Sequence, residues 1–338
     1  MINFKQYDDK QMRALNQILA LGKCEINSTV RQEEDFIGWL RDRQNGIGGS
    51  DIAAICGVSD WSSPRDIYLA KTQIAEEGAQ SEAARWGNVL EQSIAAEWAK
   101  RHNRDYVHIP INFKSLIYPF ANANIDGFTL DAHGNVDGVL EIKTTSVYNK
   151  EIWEEGPLPL YYMYQAQWYL LVTGLPKVTI ACLVGGQRLY AYEFTAIPDI
   201  MNDIITQGKH FWYENVQKLI EPPLIGIDSD RDKVVKGETI PADNPLDPFI
   251  IENEEFEKSI EVYLNLNEKI RELDKIKKAL YNNIFEGMQR HEEAITATRT
   301  LKIQKQNRKY CDFDILQKYP DVYNETVYTK EIQILKIK

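Results

Sequence analysis

The spacing of hydrophobic residues divides the chain into helical and strand-forming stretches. Apolar side chains that recur every three or four positions form one face of an α-helix. This spacing predicts helices over residues 8–22, 29–43, 82–101, 159–173 and 198–220. A longer stripe of the same kind, from Phe256 to Ile284, predicts an amphipathic helix over residues 252–290. That helix either packs on its own domain or forms half of a coiled coil.

Alternating apolar and polar residues predict the strands. One strand is predicted across YVHIPINFKS, and a hairpin through Gly185-Gly186 is predicted to join KVTIACLV to RLYAYEFTA. A second hairpin is predicted between ANIDGFTL and NVDGVLEIKTT, with DAHGN as its turn. Further strands are predicted in ATRTLKIQKQ and TVYTKEIQILKI, towards the C-terminal end. This mixture of helices and strands predicts the α/β (α+β) class.

Two stretches interrupt these patterns. A glycine-rich turn is predicted at NGIGGSD, after which Ser50 is expected to cap a helix running through DIAAIC. Residues 221–249 are rich in proline and aspartate and lack periodicity, which predicts a linker or an extended arm. The predicted organisation is therefore a core over residues 1–220, a linker or arm over 221–250, and an extension over 251–338 with a long helix and a β-rich end.

Composition and charge narrow the class of protein. With 338 residues, 43% of them hydrophobic, the chain can form one large core, or one core and an accessory lobe. No apolar run is long enough for a membrane span, and the polar, acidic start MINFKQYDDK does not resemble a signal peptide. The four cysteines and five histidines are scattered, so we expect neither a zinc or iron–sulfur site nor a disulfide framework, and we expect a reduced, intracellular compartment. The net charge of −11 argues against a passive nucleic-acid coat but permits an enzyme with a local basic groove.

Residues 138–145, GVLEIKTT, carry two charged side chains inside an apolar, β-branched stretch. In a strand, Glu141 and Lys143 point to one face and Ile142 points to the other. One explanation is an exposed face with a cross-strand ion pair. The other is a metal-dependent nuclease centre, which requires further acidic partners elsewhere in the chain.

The predicted hairpin supplies one acidic partner. If His133-Gly134 is a two-residue turn, residues pair when their numbers sum to 267, so Asp126 faces Glu141. Opposed side chains have Cβ atoms about 5 Å apart, and two carboxylates at that distance raise one pKa or recruit a cation. A divalent metal with oxygen ligands removes the repulsion. Alternatively, Asp126 is a turn residue before Gly127.

Another acid and a basic stretch are further candidates. Glu91 lies beside the apolar face of the predicted helix over 82–101, with the small residues Gly87 and Ala95 four positions to either side, so that the helix can approach another element closely. Alternatively, Glu91 is simply a solvated residue that flanks this face. Residues 294–310 carry cations and no acid, which suits contact with DNA phosphates or an exposed hairpin edge. The cations are Arg299, Lys302, Lys305, Arg308 and Lys309.

Several motifs in order resemble one nuclease family. An acid in a helix, an Asp that opens a hairpin, a Glu-x-Lys on the returning strand and a helix with Gln165 follow the order of a PD-(D/E)XK nuclease core. The motifs are WLRDRQNGIGGSDIA, RWGNVLEQ, NIDGF, LEIKTT and YYMYQAQWYLLVTG. Over roughly residues 36–195 the chain resembles the lambda-type phage exonucleases, specifically the YqaJ-like viral recombinase branch. The resemblance implies a restriction-endonuclease-like core, with a mixed central sheet flanked by helices and a C-terminal extension of a long helix and a β-hairpin.

The resemblance implies a metal site. Asp126 and Glu141 would be the main ligands of Mg²⁺, with Mn²⁺ able to substitute, joined by the backbone carbonyl of Ile142. Glu91 would ligate a metal directly or through water. Some relatives carry a further acid about ten residues before the hairpin aspartate, whereas FKSLIYPF has none in this chain. The number of metal ions is therefore left open by the sequence.

The remaining roles concern the attacking water and the DNA end. By the resemblance, Lys143 would orient the water and stabilise charge developing on the phosphoryl group, and Gln165 would position the same water or the lysine. Lys143 could act as a cation or, desolvated, as a base. Arg43 and Ser50, seven residues apart as in the family pattern, would hold the phosphate of the DNA end.

The function implied is a magnesium-dependent 5′→3′ exonuclease that resects duplex DNA ends to 3′ overhangs. Its expected partners are double-stranded DNA ends, a phage single-strand annealing protein and further copies of itself in a ring-shaped trimer. Its expected location is the cytoplasm of a bacterial host. Two alternatives stay open: an endonuclease or helicase-associated nuclease with the same core, and a catalytically inactive adaptor for DNA ends or recombination partners.

Overall fold

The computed structural model describes residues 7–30, 35–73, 81–154, 156–226 and 251–303. The chain divides into two compact units, Met1–Gly237 and Glu238–Lys338. The described helices of the first unit are α1 (Asp9–Ala20), α2 (Phe36–Gln44), α3 (Gly49–Ile55), α4 (Pro64–Thr72), α5 (Glu82–His102), α6 (Lys150–Glu154), α7 (Leu160–Thr173) and α8 (Pro198–His210). Its strands are β1 (Cys24–Ser28), β2 (Asp105–Val107), β3 (Asn112–Ser115), β4 (Asn122–Asn124), β5 (Gly127–Leu130), β6 (Val136–Thr145), β7 (Lys177–Val184) and β8 (Arg188–Thr195).

A mixed five-stranded sheet forms the centre of the first unit. Its order is β2-β5-β6-β7-β8, in which β6 and β7 are parallel and the other neighbours are antiparallel. A smaller antiparallel sheet has the order β1-β3-β4. The prediction of a mixed central sheet flanked by helices is confirmed.

Strand β6 separates two hydrophobic clusters because its side chains alternate between the faces of the sheet. Leu140 and Ile142 pack with Ile94 and Trp98 of α5 on one face. Val139 belongs to the main core on the other face, which also holds the buried residues of α7. Glu141 and Lys143 therefore lie on one face of the sheet, as the alternation predicted, and this face is the one towards α7.

The two helices that flank the sheet have clear end signals. The Ser81 side chain caps α5 by accepting a hydrogen bond from the backbone N–H of Ala84, and α5 ends at Asn103 in the left-handed conformation. Gly174 ends α7, and at φ +71° it adopts the left-handed conformation that favours glycine. Both helices agree with the predicted ranges. Trp86 continues the helical spacing of Leu90, Ile94 and Trp98, which predicts a place on the apolar face of α5, but it is 52% exposed.

Three predictions in the N-terminal part of the chain were wrong. The stretch YVHIPINFKS forms two strands, β2 and β3, which belong to different sheets. The helix predicted over 29–43 begins only at Phe36, the first residue of α2, and it is preceded by strand β1, which was not predicted. Ser50 is not a helix cap: α3 begins at Gly49 with Gly48 at its N-cap, and the Asp51 carboxylate accepts the Gly48 N–H.

The hairpin between β5 and β6 has the predicted residue pairing, although its turn differs from the predicted two-residue turn. Gly127 pairs with Leu140 and Phe128 with Val139, so both pairs sum to 267. The turn is longer than two residues, because the Asp131 N–H donates to the carbonyl of Asn135. A register shift next to Leu130 compensates for the longer turn. Asp126 therefore lies next in register opposite Glu141.

The described part of the second unit contains a long helix and a hairpin. Helix α9 (Glu254–Gly287) confirms the long amphipathic helix, and none of its residues is buried. Strands β9 (Glu293–Ile295) and β10 (Thr300–Lys302) pair antiparallel. Of the predicted basic stretch, Arg299 and Lys302 are described. Lys305, Arg308, Lys309, the strand TVYTKEIQILKI and most of the 221–250 linker or arm lie outside the described residues.

Other expectations concern membrane spans and cysteines. None of the helices in the described ranges has the length and apolar character that a membrane crossing requires. Cys24, Cys56 and Cys182 are free thiols. Cys311 lies outside the described residues.

Candidate active site

One cavity of about 500 Å³ in the first unit brings together every site residue predicted from the sequence. It lies where α3, α5, α7 and the hairpin of β5 and β6 meet. The predicted residues that line it are Arg43, Ser50, Glu91, Asp126, Glu141, Ile142, Lys143 and Gln165. The sequence motifs, which span more than a hundred residues of chain, thus converge on a single site.

Two carboxyl groups lie side by side in this cavity. Glu141 is 2% exposed on β6, and Asp126 precedes β5 directly opposite. Burial and the neighbouring Asp126 raise the pKa of Glu141 to about 8. Burial and the charge of Glu91 raise the pKa of Asp126 to about 7. A buried pair of like charges favours protons, or another cation, between the two groups.

The backbone around the pair fixes Asp126 from two sides. Its Oδ2 accepts a hydrogen bond of 2.8 Å from the N–H of Ile142. Its carbonyl oxygen lies 2.7 Å from Nδ1 of His108, which therefore carries the proton. The hydrogen bond from the Ile142 N–H therefore holds the Asp126 carboxylate against β6, beside Glu141.

The donor set fits a divalent metal. Oε2 of Glu141 is buried and receives no hydrogen bond from the described residues. An acceptor left in this state costs free energy, which a cation or a proton offsets. Asp126, Glu141 and the Ile142 carbonyl supply the hard oxygen ligands that Mg²⁺ prefers. No group of three His, Cys, Asp or Glu side chains within metal-binding reach occurs among the described residues, so Glu91 does not join the pair as a third close carboxylate.

Glu91 nevertheless acts on the pair through its charge. It lies on α5, half-buried, and raises the pKa of Asp126. Its side chain lines the same cavity as Asp126. Its position suits contact with a metal through water better than direct ligation.

Lys143 and Gln165 both bind the same carboxylate oxygen. Nζ of Lys143 lies 2.5 Å from Oε1 of Glu141, and Nε2 of Gln165 donates to that oxygen over 2.8 Å. Burial lowers the pKa of Lys143, but Glu141 and Asp126 outweigh burial and raise it. The lysine is therefore a cation in this structure, which favours the first of its two predicted roles.

Arg43 and Ser50 form a second cluster on the cavity wall. Nη2 of Arg43 donates to Oγ of Ser50 over 2.9 Å. The guanidinium carbon lies 4.8 Å from the centre of the Trp39 ring, a cation–π contact that restrains the side chain. The guanidinium is about one third exposed and faces the cavity that holds the carboxyl pair. Such a fork of donors suits a phosphate group.

Among the polar residues of the cavity that the sequence reasoning missed are Tyr169, Asp51 and Lys71. Tyr169 accepts the second hydrogen bond of Gln165 Nε2 at 2.8 Å, and its position four residues further along α7 could have revealed it. Asp51 and Lys71 form a buried ion pair of 2.7 Å behind Arg43. Asp51 adjoins Ser50 in the GGSD motif and could have been found, whereas no sequence signal marks Lys71.

Comparisons with known proteins identify relatives of this chain. Residues 38–176 match the family of YqaJ-like viral recombinase domains. The uncharacterized protein YqaJ of Bacillus subtilis (strain 168) is 31% identical over 265 residues, which cover 78% of this chain and 80% of that protein. The structure of LHK-Exo, an alkaline exonuclease from Laribacter hongkongensis, in complex with dAMP is 17% identical, covers 59% of this chain and 98% of its own, and has a TM-score of 0.46. A phage-related exonuclease from Haemophilus somnus 129PT is 9% identical, covers 52% of this chain and 96% of its own, and has a TM-score of 0.40.

Proposed function

This chain belongs to the YqaJ-like viral recombinase family, and on that premise we propose that it is a magnesium-dependent 5′→3′ exonuclease of double-stranded DNA. It would resect linear ends to 3′ overhangs for recombination by single-strand annealing. The observation that carries the proposal is the carboxyl pair of Asp126 and Glu141 with its unsatisfied oxygen, beside Lys143 and in one cavity with Arg43.

The pair would hold a divalent metal together with the Ile142 carbonyl, and Glu91 would contact it through water. When bound, such an ion lowers the pKa of a water molecule and neutralises charge on the phosphoryl oxygens. Mg²⁺ is the natural choice for a site of oxygen ligands, and Mn²⁺ would substitute. Deprotonation of the two carboxyl groups must accompany binding, because both pKa values lie near or above neutrality in the metal-free protein.

Lys143 would supply the positive charge that hydrolysis of a phosphodiester requires. As a cation it donates hydrogen bonds but cannot take a proton, so its task is to orient water and to stabilise charge on the phosphoryl group. Gln165 keeps the arrangement in place, since its Nε2 bridges Glu141 and Tyr169. The carboxamide thereby fixes the shared oxygen towards which Lys143 points.

Arg43 and Ser50 would bind the phosphate at the 5′ end. A terminal phosphate held in this cavity would bring the first phosphodiester of the same strand towards the carboxyl pair. This arrangement favours an exonuclease over an endonuclease, because a duplex without an end offers no terminal phosphate. An inactive adaptor is disfavoured, since buried like charges destabilise a fold that has no use for them.

The test uses linear duplex DNA labelled at one 5′ end, incubated with and without Mg²⁺. The wild-type chain is expected to release the label and to leave covalently closed circular duplex intact. Asp126→Ala and Lys143→Ala are expected to abolish digestion, whereas the matched variant Asp105→Ala, at an exposed side chain of β2, keeps it. Cleavage of closed circles would favour the endonuclease, and full activity of Asp126→Ala would refute the site.

The proposal extends to assembly and location. We propose that the chain assembles into a ring-shaped homotrimer and acts in the cytoplasm of a bacterial host. Its proposed partner is a phage-type single-strand annealing protein. Light scattering on the purified chain is expected to give three times the mass of one chain. A monomer that digests long duplexes processively would refute the ring.

A further inference from the structure

The buried ion pair of Lys71 and Asp51 has no part in the reaction described above. Lys71 Nζ lies 2.7 Å from Oδ2 of Asp51, and the two side chains are 4% and 8% exposed. A buried pair of this kind adds little net stability, because the loss of water around both charges offsets their attraction. Its position behind the end-binding cluster suggests that it serves the site.

Both members of the pair hold Arg43. Lys71 Nζ donates to the backbone carbonyl of Arg43 over 2.6 Å. The other carboxylate oxygen of Asp51 lies 3.4 Å from Nη2 of Arg43, the same nitrogen that donates to Ser50. The lysine thus fixes the backbone of Arg43, and the aspartate fixes its guanidinium.

The charges in this cluster decide whether Arg43 is available to an anion. Lys71 and Arg43 are the cations that hold the pKa of the buried Asp51 below its usual range. With two cations and one anion the cluster keeps one net positive charge. Without Lys71, Asp51 would be balanced by Arg43 alone, and the cluster would be neutral towards an incoming phosphate.

We propose that Lys71 is a positioning residue that balances the charge of Asp51, keeps the positive charge of Arg43 available to a terminal phosphate, and so sets the preference of this chain for 5′-phosphorylated ends. The inference rests on the proposed exonuclease function and deepens it. Lys71 itself acts through Asp51 and Arg43.

The experiment compares two linear duplexes that differ only in a 5′-phosphate or a 5′-hydroxyl group. For each variant of the full chain, kcat and KM are measured on both, with Mg²⁺ present, and Tm is recorded. The preference is the kcat/KM for the 5′-phosphorylated duplex divided by that for the 5′-hydroxyl duplex. Lys71→Met is expected to lower this ratio about tenfold, mainly by raising KM for the phosphorylated duplex. Lys71→Arg is expected to keep the ratio, since it keeps the charge.

The decisive variant is the double substitution Asp51→Asn/Lys71→Met. It removes the anion together with the cation, so the cluster regains its net positive charge and part of the lost preference is expected to return. A purely structural role for Lys71 would slow both substrates alike and would give no recovery, and either result overturns the inference. Lys71→Gln is expected to lose the preference as Lys71→Met does, so the test does not depend on one variant folding.

The wild-type chain separates failure of this inference from failure of the proposed function. Equal digestion of both duplexes by the wild type would overturn this inference and the end-binding role of Arg43 and Ser50, and would leave the exonuclease activity standing. A wild type that digests neither duplex with Mg²⁺ would overturn the proposed function, and this inference with it.

Discussion

The metal-free protein is expected to lose stability as the pH rises from 6 to 8, and Glu141→Gln is expected to remove much of that loss. Glu141 has its pKa raised from 4.5 to about 8 in the folded chain. Between those values the folded state keeps a proton that the unfolded chain has released. Stability therefore falls with increasing pH through this window and levels off above the folded pKa.

The magnitude follows from the proton count. While the folded state keeps one extra proton, the free energy of unfolding falls by about 1.4 kcal/mol for each unit of rising pH. The fall from pH 6 to 8 is about 2 kcal/mol, because half of the folded chains have lost that proton at pH 8. For a unit of this size that corresponds to roughly 4–8 °C in Tm. Mg²⁺ at about 100 times its Kd would return about 2.7 kcal/mol at pH 8, because it binds only the folded state.

Thermal unfolding in the presence of a chelator, followed by addition of Mg²⁺, measures both effects. The wild type is expected to show the fall in Tm and its recovery, whereas Glu141→Gln shows a reduced fall and little response to metal. The same substitution at the exposed Glu97 on α5, Glu97→Gln, is the matched control and is expected to behave as the wild type. A Tm of the chelated wild type that stays level or rises between pH 6 and 8 would refute the reasoning.

Three further predictions concern the cavity. Lys143→Met is expected to reduce the rate of duplex digestion about 10²–10³-fold while calorimetry still detects Mn²⁺ binding; loss of binding would instead make the lysine part of the metal site. Gln165→Ala is expected to reduce the same rate about tenfold, because it removes one neutral donor to Glu141, and an unchanged rate would count against its positioning role. Gly49→Ala is expected to destabilise the chain by about 1–3 kcal/mol in urea titrations, since its Cβ would lie 2.5 Å from the Tyr169 ring. The control Gly87→Ala, with 3.7 Å to its nearest neighbour, is expected to leave stability unchanged or raise it by about 0.5–1 kcal/mol.

The chemistry of the carboxyl pair could be predicted because it depends on local geometry. Strand alternation alone places Glu141 and Lys143 on one face. Hairpin pairing then brings Asp126 opposite Glu141, fifteen residues away in sequence. The predicted turn was wrong in length, yet the pairing survived because a register shift next to Leu130 compensated for the longer turn. A strand with one buried face tolerates no slip of a single residue, since that would exchange its two faces.

The segment before the hairpin could not be predicted in the same way. An apolar run such as YVHIPINFKS does not reveal that its halves pair in two different sheets, because each half alternates correctly by itself. Pro110 lies between the halves, and a proline cannot donate to a strand ladder. Ser50 was misplaced as a cap because α3 begins earlier than predicted: Gly48 is its N-cap, and the Asp51 carboxylate at the third helical position accepts the Gly48 N–H.

The cavity contains residues of both kinds: some are brought together by local geometry, and others only by tertiary contacts. Asp126, Glu141 and Lys143, which are proposed to act on the scissile bond, lie on one hairpin, so short-range rules bring them together. The residues proposed to bind the DNA end depend on contacts between helices: Lys71 on α4 is buried only because it meets Asp51 on α3 and the backbone of Arg43 on α2. A lysine in sequence is by default a solvated side chain, and only the tertiary fold reveals that this one is paired and enclosed. Variation in the end-binding cluster can therefore change which DNA ends are accepted while the carboxyl pair and its chemistry stay the same.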